Sequence, residues 1–148
     1  MKNITIRRIT AEDKSEWLRM RIALWPKDTP DEHRAEMDEI LADPVQPVFV
    51  VIRSNGKLGG YLEPSALKYA DGCKSSPVGY IEGWYVDEDL RGQGIGGALV
   101  KTAEEWARSR GLNEMASDTW LDNEGSIQAH LKLGYAEVER IVNFAKKL

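Results

Sequence analysis

The chain has 148 residues, 42% of them hydrophobic, and this length predicts one domain, residues 1–148, with a single substantial core. A formal net charge of −4 disfavours a nucleic-acid-binding protein, and the sequence has no apolar run long enough to cross a bilayer. The single cysteine, Cys73, excludes an internal disulfide and is typical of a protein of the reducing cytosol.

The first part of the chain predicts one strand followed by two helices. Residues 4–9 alternate between apolar and polar side chains, which predicts a strand. Residues 10–13 have the pattern of a capping box and predict the start of a helix that ends at Pro26. A second helix is predicted from Thr29 to about Leu41, because proline follows the threonine and glutamate stands three residues after it.

The middle of the chain predicts three strands. Residues 47–53 are rich in strand-forming side chains, and the Asn55-Gly56 pair that follows is a hairpin-turn signal. Residues 57–67 are predicted to form the returning strand of this hairpin. A loop of small and polar residues, 69–77, then leads to an apolar strand over residues 78–86.

The last part of the chain predicts two helices that alternate with two strands. The helices are predicted over residues 97–110 and 123–133, and each is followed by a glycine. The strands are predicted over residues 113–119 and 135–146. The order of elements is therefore β-α-α-β-β-β-α-β-α-β, which predicts an α+β fold with a mixed central sheet flanked by helices.

The strand over residues 78–86 leads through an acidic turn into a glycine-rich loop and then a helix. This arrangement predicts a phosphate cradle, because the first N–H groups of a helix are unpaired and carry a partial positive charge. Glycines also let the backbone approach a phosphate closely. The spacing Arg91-x-x-Gly94-x-Gly96 fits neither the G-x-G-x-x-G nucleotide fingerprint nor a P-loop. A glycine turn with a purely structural role is the alternative.

The same spacing resembles the Q/R-x-x-G-x-G/A signature of the GCN5-related N-acetyltransferase (GNAT) superfamily, whose loop holds the pyrophosphate of acetyl-CoA. The order of predicted elements is similar to the GNAT fold over the whole chain. Leu24-Trp25-Pro26, Ile81-Glu82-Gly83 and residues 114–119 resemble one branch, the aminoglycoside 6'-N-acetyltransferases. The resemblance implies a cytosolic, homodimeric enzyme that acetylates the 6'-amine of aminoglycoside antibiotics by direct attack in a ternary complex, and so confers resistance.

The resemblance also implies where acetyl-CoA binds. Its phosphates are expected on the backbone N–H groups of Gly92, Gln93, Gly94, Ile95, Gly96 and Gly97. The pantetheine arm is expected along a splayed strand edge at Trp84, Tyr85 and Val86, where one N–H group also faces the thioester oxygen. Asn123 matches a position that bonds the CoA arm, and a helix N-cap explains it equally well.

Two carboxylates are candidates for binding and deprotonating the amine substrate, since aminoglycosides are polycations. Glu82 interrupts an apolar strand, where a carboxylate is costly unless it has a partner. Asp118 lies near the end of its own strand, where ligands collect in α/β sheets. We assign the general base to Asp118 and mainly substrate binding to Glu82. The alternatives are an outward-facing or salt-bridged Glu82 and a capping role for Asp118.

Further residues are candidate contacts for the aminoglycoside. Trp25 and Tyr69 offer aromatic faces to a sugar ring, with core packing as the alternative for Trp25. Asp28 and Glu139, the latter on the last predicted strand, are carboxylates near the expected cleft, and a plain surface position is the simpler interpretation for each. His130 stands where many GNAT enzymes have a tyrosine that protonates the leaving thiolate. A packed or solvent-facing histidine is the simpler interpretation there too.

Two other functions are compatible with these residues. The same fold can acetylate another amine, such as a polyamine or a protein N-terminus. The second alternative is a non-catalytic acyl-CoA-binding module, against which the pair of Glu82 and Asp118 argues, because a sensor needs no base. The two histidines and one cysteine form no metal-ligand cluster in the sequence, so no metal is expected.

Overall fold

The computed structural model describes residues 4–148, which contain a five-stranded sheet in the order β1-β2-β3-β4-β5. The strands are β1 (Thr5–Arg8), β2 (Phe49–Ile52), β3 (Leu58–Leu67), β4 (Val78–Val86) and β5 (Met115–Ser117). The α-helices are α1 (Lys14–Leu24), α2 (Pro30–Ala42), α3 (Ile95–Ser109) and α4 (Glu124–Lys132), and short 3-10 turns cover Ala11–Asp13 and Glu88–Leu90. Strands β1 to β4 pair with one another in an antiparallel manner, whereas β5 is parallel to β4, so the sheet is mixed, as predicted.

Local sequence signals explain where the first two helices begin. The hydroxyl of Thr29 accepts a hydrogen bond from the N–H of Glu32 at 3.1 Å, and the Glu32 carboxylate accepts one from the N–H of Thr29 at 2.9 Å. This is the predicted capping box. Before α1, the N–H of Thr10 donates to the Asp13 carboxylate at 2.8 Å. Across residues 4–148, no helix combines the length and the apolar character needed to cross a membrane.

The sheet carries a cluster of buried side chains on each face. Strand β2 alternates between them, because Val51 lies in the cluster with α3 and Val50 lies in the cluster with α1 and α2. Leu99 is a fully buried contribution of α3 to the first cluster, and Trp17 is a fully buried contribution of α1 to the second. The chain therefore covers both faces of the sheet with helices.

The strand β4 has an irregular centre. Glu63 of β3 pairs with Gly83 and the next residue, Pro64, pairs with Ile81, so Glu82 has no partner on β3 and forms a β-bulge. Pro64 has no backbone N–H, which prevents a regular ladder at this point. On its other side β4 pairs with β5 only at residues 79–81. Within the described part of the chain, β4 therefore continues over residues 82–86 without a neighbour on that side.

The prediction of a last strand over residues 135–146 is wrong for this chain. No strand follows α4 among residues 4–148, and residues 136–148 are exposed. The residues between Tyr135 and Leu148 do include strand-forming side chains, but a strand needs a neighbouring edge, and β5 is only three residues long. Glu139, placed on that strand by the sequence, therefore lies in an exposed segment, and Phe144 has 92% of its surface exposed.

Candidate active site

The glycine loop lies between the 3-10 turn that follows β4 and the start of α3. Its backbone is left-handed at Gly92 (φ 75°) and Gly94 (φ 80°), and Gly94 is the N-cap of α3. A Cβ atom at Gly96 would lie 3.2 Å from Trp84 Cζ2, and the Trp84 indole N–H donates to the Gly96 carbonyl at 3.1 Å. A loop of this shape at a helix N-terminus has the geometry of a phosphate site. Its backbone comprises Gly92, Gln93, Gly94, Ile95, Gly96 and Gly97.

Side chains at both ends of the loop attach it to the rest of the fold. Arg91 Nε donates to the Val86 carbonyl at 2.8 Å, and the Arg91 guanidinium lies 5.6 Å from the centre of the Tyr85 ring. The Gln93 amide donates to the Asp89 carbonyl at 3.2 Å. Ile95 is buried in the core cluster with α3. The loop is therefore held in place by β4 on one side and by the core on the other.

Residues 82–86 form an open edge of β4. The N–H of Asp87 donates to the carbonyl of Gly59, a residue of β3, at 2.8 Å. Because N–H groups alternate between the two sides of a strand, the N–H of Tyr85 also points towards β3. The N–H groups of Trp84 and Val86 therefore point to the open side, where an extended ligand can pair as an extra strand.

Asp118 lies directly after β5, and its carboxylate accepts a hydrogen bond from the Tyr80 hydroxyl. Burial, followed by the hydrogen bond to Asp118, raises the pKa of Tyr80, so this hydroxyl stays protonated and remains a donor. The charges of Asp118, Glu82 and Asp71 all act on Tyr80. Glu82 accepts a hydrogen bond from Ser65, which pairs with Tyr80 in the sheet, so both predicted carboxylates lie near this tyrosine.

Sequence reasoning missed Tyr80 and Asp71. The available signal for Tyr80 was its position two residues before Glu82 on the same strand. Glu82 itself is exposed and accepts a hydrogen bond from the Ser65 hydroxyl at 2.9 Å. The bulge turns its carboxylate out of the core, so Glu82 avoids the cost of burial.

The loop after β3 adds an exposed aromatic residue. Tyr69 has 69% of its surface exposed, and its hydroxyl donates to Asp71 at 3.0 Å. The hydrogen bond to Asp71, followed by the charges of Asp71 and, more weakly, Glu139, raises the pKa of the Tyr69 hydroxyl. Val138 lies against Gly72 of the same loop, where a Cβ atom would approach it to 2.7 Å. The C-terminal segment, residues 136–148, therefore begins beside this loop.

Trp25 lies at the C-cap of α1 and packs directly on β4. A Cβ atom at Gly83 would be 2.6 Å from Trp25 Cη2, so only glycine leaves room for the indole. The ring also meets Tyr61 edge-on, with centroids 6.4 Å apart. Trp25 is only partly buried, so it combines packing with an exposed surface, and Gly83, on which it packs, follows Glu82 in the chain. Asp28 is exposed, and its N–H donates to the Trp25 carbonyl at 3.4 Å.

His130 and Asn123 both have structural partners. The Asn123 side chain accepts from the N–H of Ser126 at 3.1 Å, so its N-cap role is confirmed and its contact with CoA stays a prediction. His130 Nδ1 donates to the Ser126 carbonyl at 2.6 Å, which leaves Nε2 to accept from the Ser117 hydroxyl at 2.8 Å. The His130 ring packs edge-on against Trp84, with centroids 5.2 Å apart. These contacts fit the interpretation of a packed histidine.

Cys73 lies in the loop after β3. Burial, followed by the charge of Glu114, raises the pKa of its thiol, which disfavours the thiolate that an acyl-cysteine intermediate needs. Among residues 4–148, no group of three or more histidine, cysteine, aspartate or glutamate side chains is arranged to hold a metal ion.

Comparisons with known proteins relate this site to one family. The sequence model of the acetyltransferase (GNAT) family matches residues 14–135. The chain belongs to this family. A GNAT relative from Klebsiella aerogenes, described as aminoglycoside N(6')-acetyltransferase type 1, is 43% identical over 146 residues, which cover 97% of this chain and 96% of the relative. A relative with the same description from Stenotrophomonas maltophilia is 37% identical and covers 97% and 94% of the two chains.

Solved GNAT structures show the same fold. The aminoglycoside acetyltransferase AAC(6')-Iy, in complex with the bisubstrate analogue CoA-S-monomethyl-acetylneamine, superposes with a TM-score of 0.92 at 32% identity, over 99% of this chain and 100% of that chain. AAC(6')-Ih from Acinetobacter baumannii has a TM-score of 0.91 at 34% identity, over 99% of both chains. The predicted GNAT fold and the resemblance to 6'-N-acetyltransferases are confirmed.

Proposed function

We propose that this GNAT enzyme transfers the acetyl group of acetyl-CoA to the 6'-amine of aminoglycoside antibiotics and thereby confers resistance. The observation that carries the proposal is the hydrogen bond from Tyr80 to Asp118, with Glu82 bonded to Ser65, the residue that pairs with Tyr80, next to the open edge of β4. Such a group of carboxylates suits a polycationic amine. The names of the relatives and the bound analogue of AAC(6')-Iy support the same substrate class.

Acetyl-CoA would bind between the glycine loop and the open edge of β4. The N–H groups of residues 92–97 and the N-terminus of α3 would receive its phosphates. The pantetheine arm would follow Trp84, Tyr85 and Val86, and Asn123 would contact it from the start of α4. Because the Tyr85 N–H points to β3, the thioester oxygen would be polarised by the N–H of Trp84 or Val86.

The carboxylates have two tasks in this proposal. They bind the substrate as an ammonium ion, whose pKa of about 10 keeps it protonated at neutral pH. Only the neutral amine attacks, so one carboxylate must also take a proton, directly or through a water molecule. We assign this step to Asp118, which Tyr80 holds by its hydrogen bond, and mainly binding to Glu82. The amine nitrogen then bonds to the acetyl carbon and the C–S bond breaks. The nitrogen gives up its second proton, which passes through water to the departing sulfur, so the products are the amide and CoA thiol.

The remaining contacts would surround the sugar rings. Trp25 and Tyr69 supply partly and largely exposed aromatic surfaces, and aromatic faces suit the apolar side of a sugar. Asp28 follows Trp25, and Glu139 lies near enough to act on Tyr69. We propose all four as substrate contacts, in one acetyltransferase domain that acts in the cytosol, where a single cysteine stays reduced.

The regiospecificity can be tested with two aminoglycosides that differ only in an amine or a hydroxyl at position 6'. Both keep their other ammonium groups, so both should bind the carboxylates. Only the amine is nucleophilic enough to attack the thioester. The 6'-amino compound should release CoA thiol and gain one acetyl group on the 6'-nitrogen, as located by mass spectrometry and NMR. The 6'-hydroxy compound should release none and should inhibit competitively.

Two outcomes of this assay would contradict the proposal. Acetylation of the 6'-hydroxy compound on a different amine would mean that the enzyme modifies aminoglycosides without this regiospecificity. Turnover of spermidine or a peptide, with no turnover of either aminoglycoside, would identify the enzyme as an acetyltransferase of other amines. A panel that contains all four compounds therefore separates the proposal from the alternatives given by the sequence.

We also propose a homodimer in which the C-terminal segment, residues 136–148, contacts a second copy. Val142 and Phe144 have 73% and 92% of their surface exposed, and large apolar side chains exposed close together are typical of an interaction surface. Light scattering coupled to size-exclusion chromatography should give twice the chain mass. Replacing Val142 and Phe144 together by serine should give monomers, whereas a monomeric wild type would contradict the dimer.

A further inference from the structure

A buried charged cluster lies directly behind Trp25, and the proposed reaction makes no use of it. Arg21 of α1 has no exposed surface. Its guanidinium donates to the carboxylates of Glu63 on β3 and Glu36 on α2, and its Nε donates to His33 Nδ1 at 3.2 Å. Glu63 and His33 are themselves 3% and 1% exposed. We call Arg21, Glu63 and His33 the buried cluster.

The buried cluster holds both the ring and the main chain of Trp25. The Arg21 guanidinium carbon lies 4.8 Å from the centre of the indole. The His33 ring is stacked on the indole, with centroids 6.3 Å apart and an angle of 18° between the planes. Because Arg21 donates to Nδ1, the proton of His33 lies on Nε2, which donates to the Trp25 carbonyl at 3.1 Å.

Stability alone does not explain a charged group at this position. Arg21 stands one helical turn after Trp17, on the face of α1 that packs against the sheet, where the helix pattern calls for an apolar side chain. Desolvation of a buried ion pair commonly costs as much as the pair returns, and apolar replacements of such pairs are often equally stable. An apolar side chain would fill the same space, but it would not fix the direction of the indole or its carbonyl.

The fixed indole lies next to the proposed amine site. Trp25 is pressed onto Gly83, which follows the bulged Glu82. A small rotation of the ring would therefore change the space beside the Glu82 carboxylate. One face of the indole also carries the Arg21 cation, which weakens its attraction for a second cation. The exposed part of Trp25 is thus suited to the C–H surface of a sugar, while the ammonium groups go to the carboxylates.

We propose that the buried cluster is a positioning device. Arg21, held by Glu63 and His33, fixes the orientation of the Trp25 indole, and this indole contacts the aminoglycoside and orients it beside Glu82. The inference rests on the proposed role of Trp25 as a substrate contact. It predicts that loss of the cluster weakens substrate binding through Trp25 and leaves acetyl-CoA binding unchanged, since the glycine loop and α3 lie outside the cluster.

The test is a double-mutant cycle between the cluster and Trp25. The first variant is Arg21→Met/Glu63→Gln, which removes both buried charges together and keeps an acceptor for the Trp17 indole N–H that now donates to Glu63 at 3.0 Å. We expect its KM for the aminoglycoside to rise about tenfold, while kcat and the KM for acetyl-CoA change less than about threefold. Trp25→Ala should raise the same KM, and the triple variant should show no further rise.

Two further variants provide a control for lost stability and a replacement for a first variant that does not fold. Leu58→Ala is the matched control, because Leu58 is buried in the same core cluster as Trp17 and should lower the unfolding temperature without changing the KM for the aminoglycoside. If Arg21→Met/Glu63→Gln does not fold, His33→Phe replaces it in the cycle. This variant keeps a ring against the indole and removes the hydrogen bond to the Trp25 carbonyl, and its KM should rise at least about threefold.

The outcomes separate this inference from the proposed function. If Trp25→Ala raises the KM and the cluster variants do not, the buried cluster is not a positioning device and the proposed function is unaffected. If the effects of the cluster and Trp25 add, the cluster acts through the fold in general and the inference is wrong. If Trp25→Ala leaves the KM unchanged, Trp25 does not contact the aminoglycoside and the inference fails. The proposed reaction is still tested by the pair of 6'-amino and 6'-hydroxy compounds.

Discussion

Replacing Gly94 by aspartate is expected to abolish CoA binding and leave the fold intact. Gly94 is the N-cap of α3, and no atom lies within 4 Å of a Cβ built there, so the new side chain has room. Its carboxylate would occupy the positive end of the helix, where the phosphates of CoA are proposed to bind, and would repel them. Calorimetry should show a Kd for CoA raised at least about a hundredfold.

The matched control for this variant is Gly111→Asp. Gly111 follows the other end of α3, has a left-handed φ of 75°, and also has open space around its Cβ position. Both variants put a non-glycine residue into the left-handed region, which costs about 1 kcal/mol, and both add one negative charge. Gly111→Asp should therefore bind CoA normally. A Gly94→Asp protein that also binds CoA normally would show that the phosphates are held elsewhere.

Short-range sequence patterns predict most of the fold, because the interactions that these patterns indicate join residues close together in the chain. The capping box at Thr29 closes within four residues, and β4 occupies the residues that its apolar run indicates. The glycine loop was predicted for the same reason, since the left-handed backbone at Gly92 and Gly94 requires residues without a Cβ atom. These signals place the proposed acetyl-CoA site without any knowledge of distant contacts.

The amine side of the site depends on contacts between distant residues, which the sequence does not display. The bulge that exposes Glu82 arises opposite Pro64, on a different strand. The hydrogen bond from Tyr80 to Asp118 joins residues 38 positions apart. The ion pair of Arg21 with Glu63 joins residues 42 positions apart. Each of these features follows from the register of the sheet or from helix packing.

The C-terminal segment shows a different limit of sequence reasoning. Its composition is that of a strand, but it pairs with no strand of its own chain among residues 4–148. Propensity describes what a segment prefers locally, whereas a strand is stabilised by the edge with which it pairs. The prediction failed because that edge depends on the remainder of the sheet and, in the proposed dimer, on a second copy.

Replacing Asp118 by asparagine should lower kcat at least about a hundredfold and raise the KM for the aminoglycoside much less, because a general base contributes to the transition state. The amide oxygen of asparagine can still accept the hydrogen bond from the Tyr80 hydroxyl, so the arrangement around β4 and β5 should persist. The amide cannot take a proton from the amine. Steady-state kinetics with a 6'-amino compound, at saturating acetyl-CoA, measure both constants.

The comparison variant is Glu82→Gln, which should mainly raise the KM for the aminoglycoside, by about tenfold, because it removes a charge that attracts an ammonium group without removing the base. An Asp118→Asn enzyme with unchanged kcat would assign proton removal to Glu82 or to water, and the KM of Glu82→Gln would then identify whether Glu82 still acts in binding.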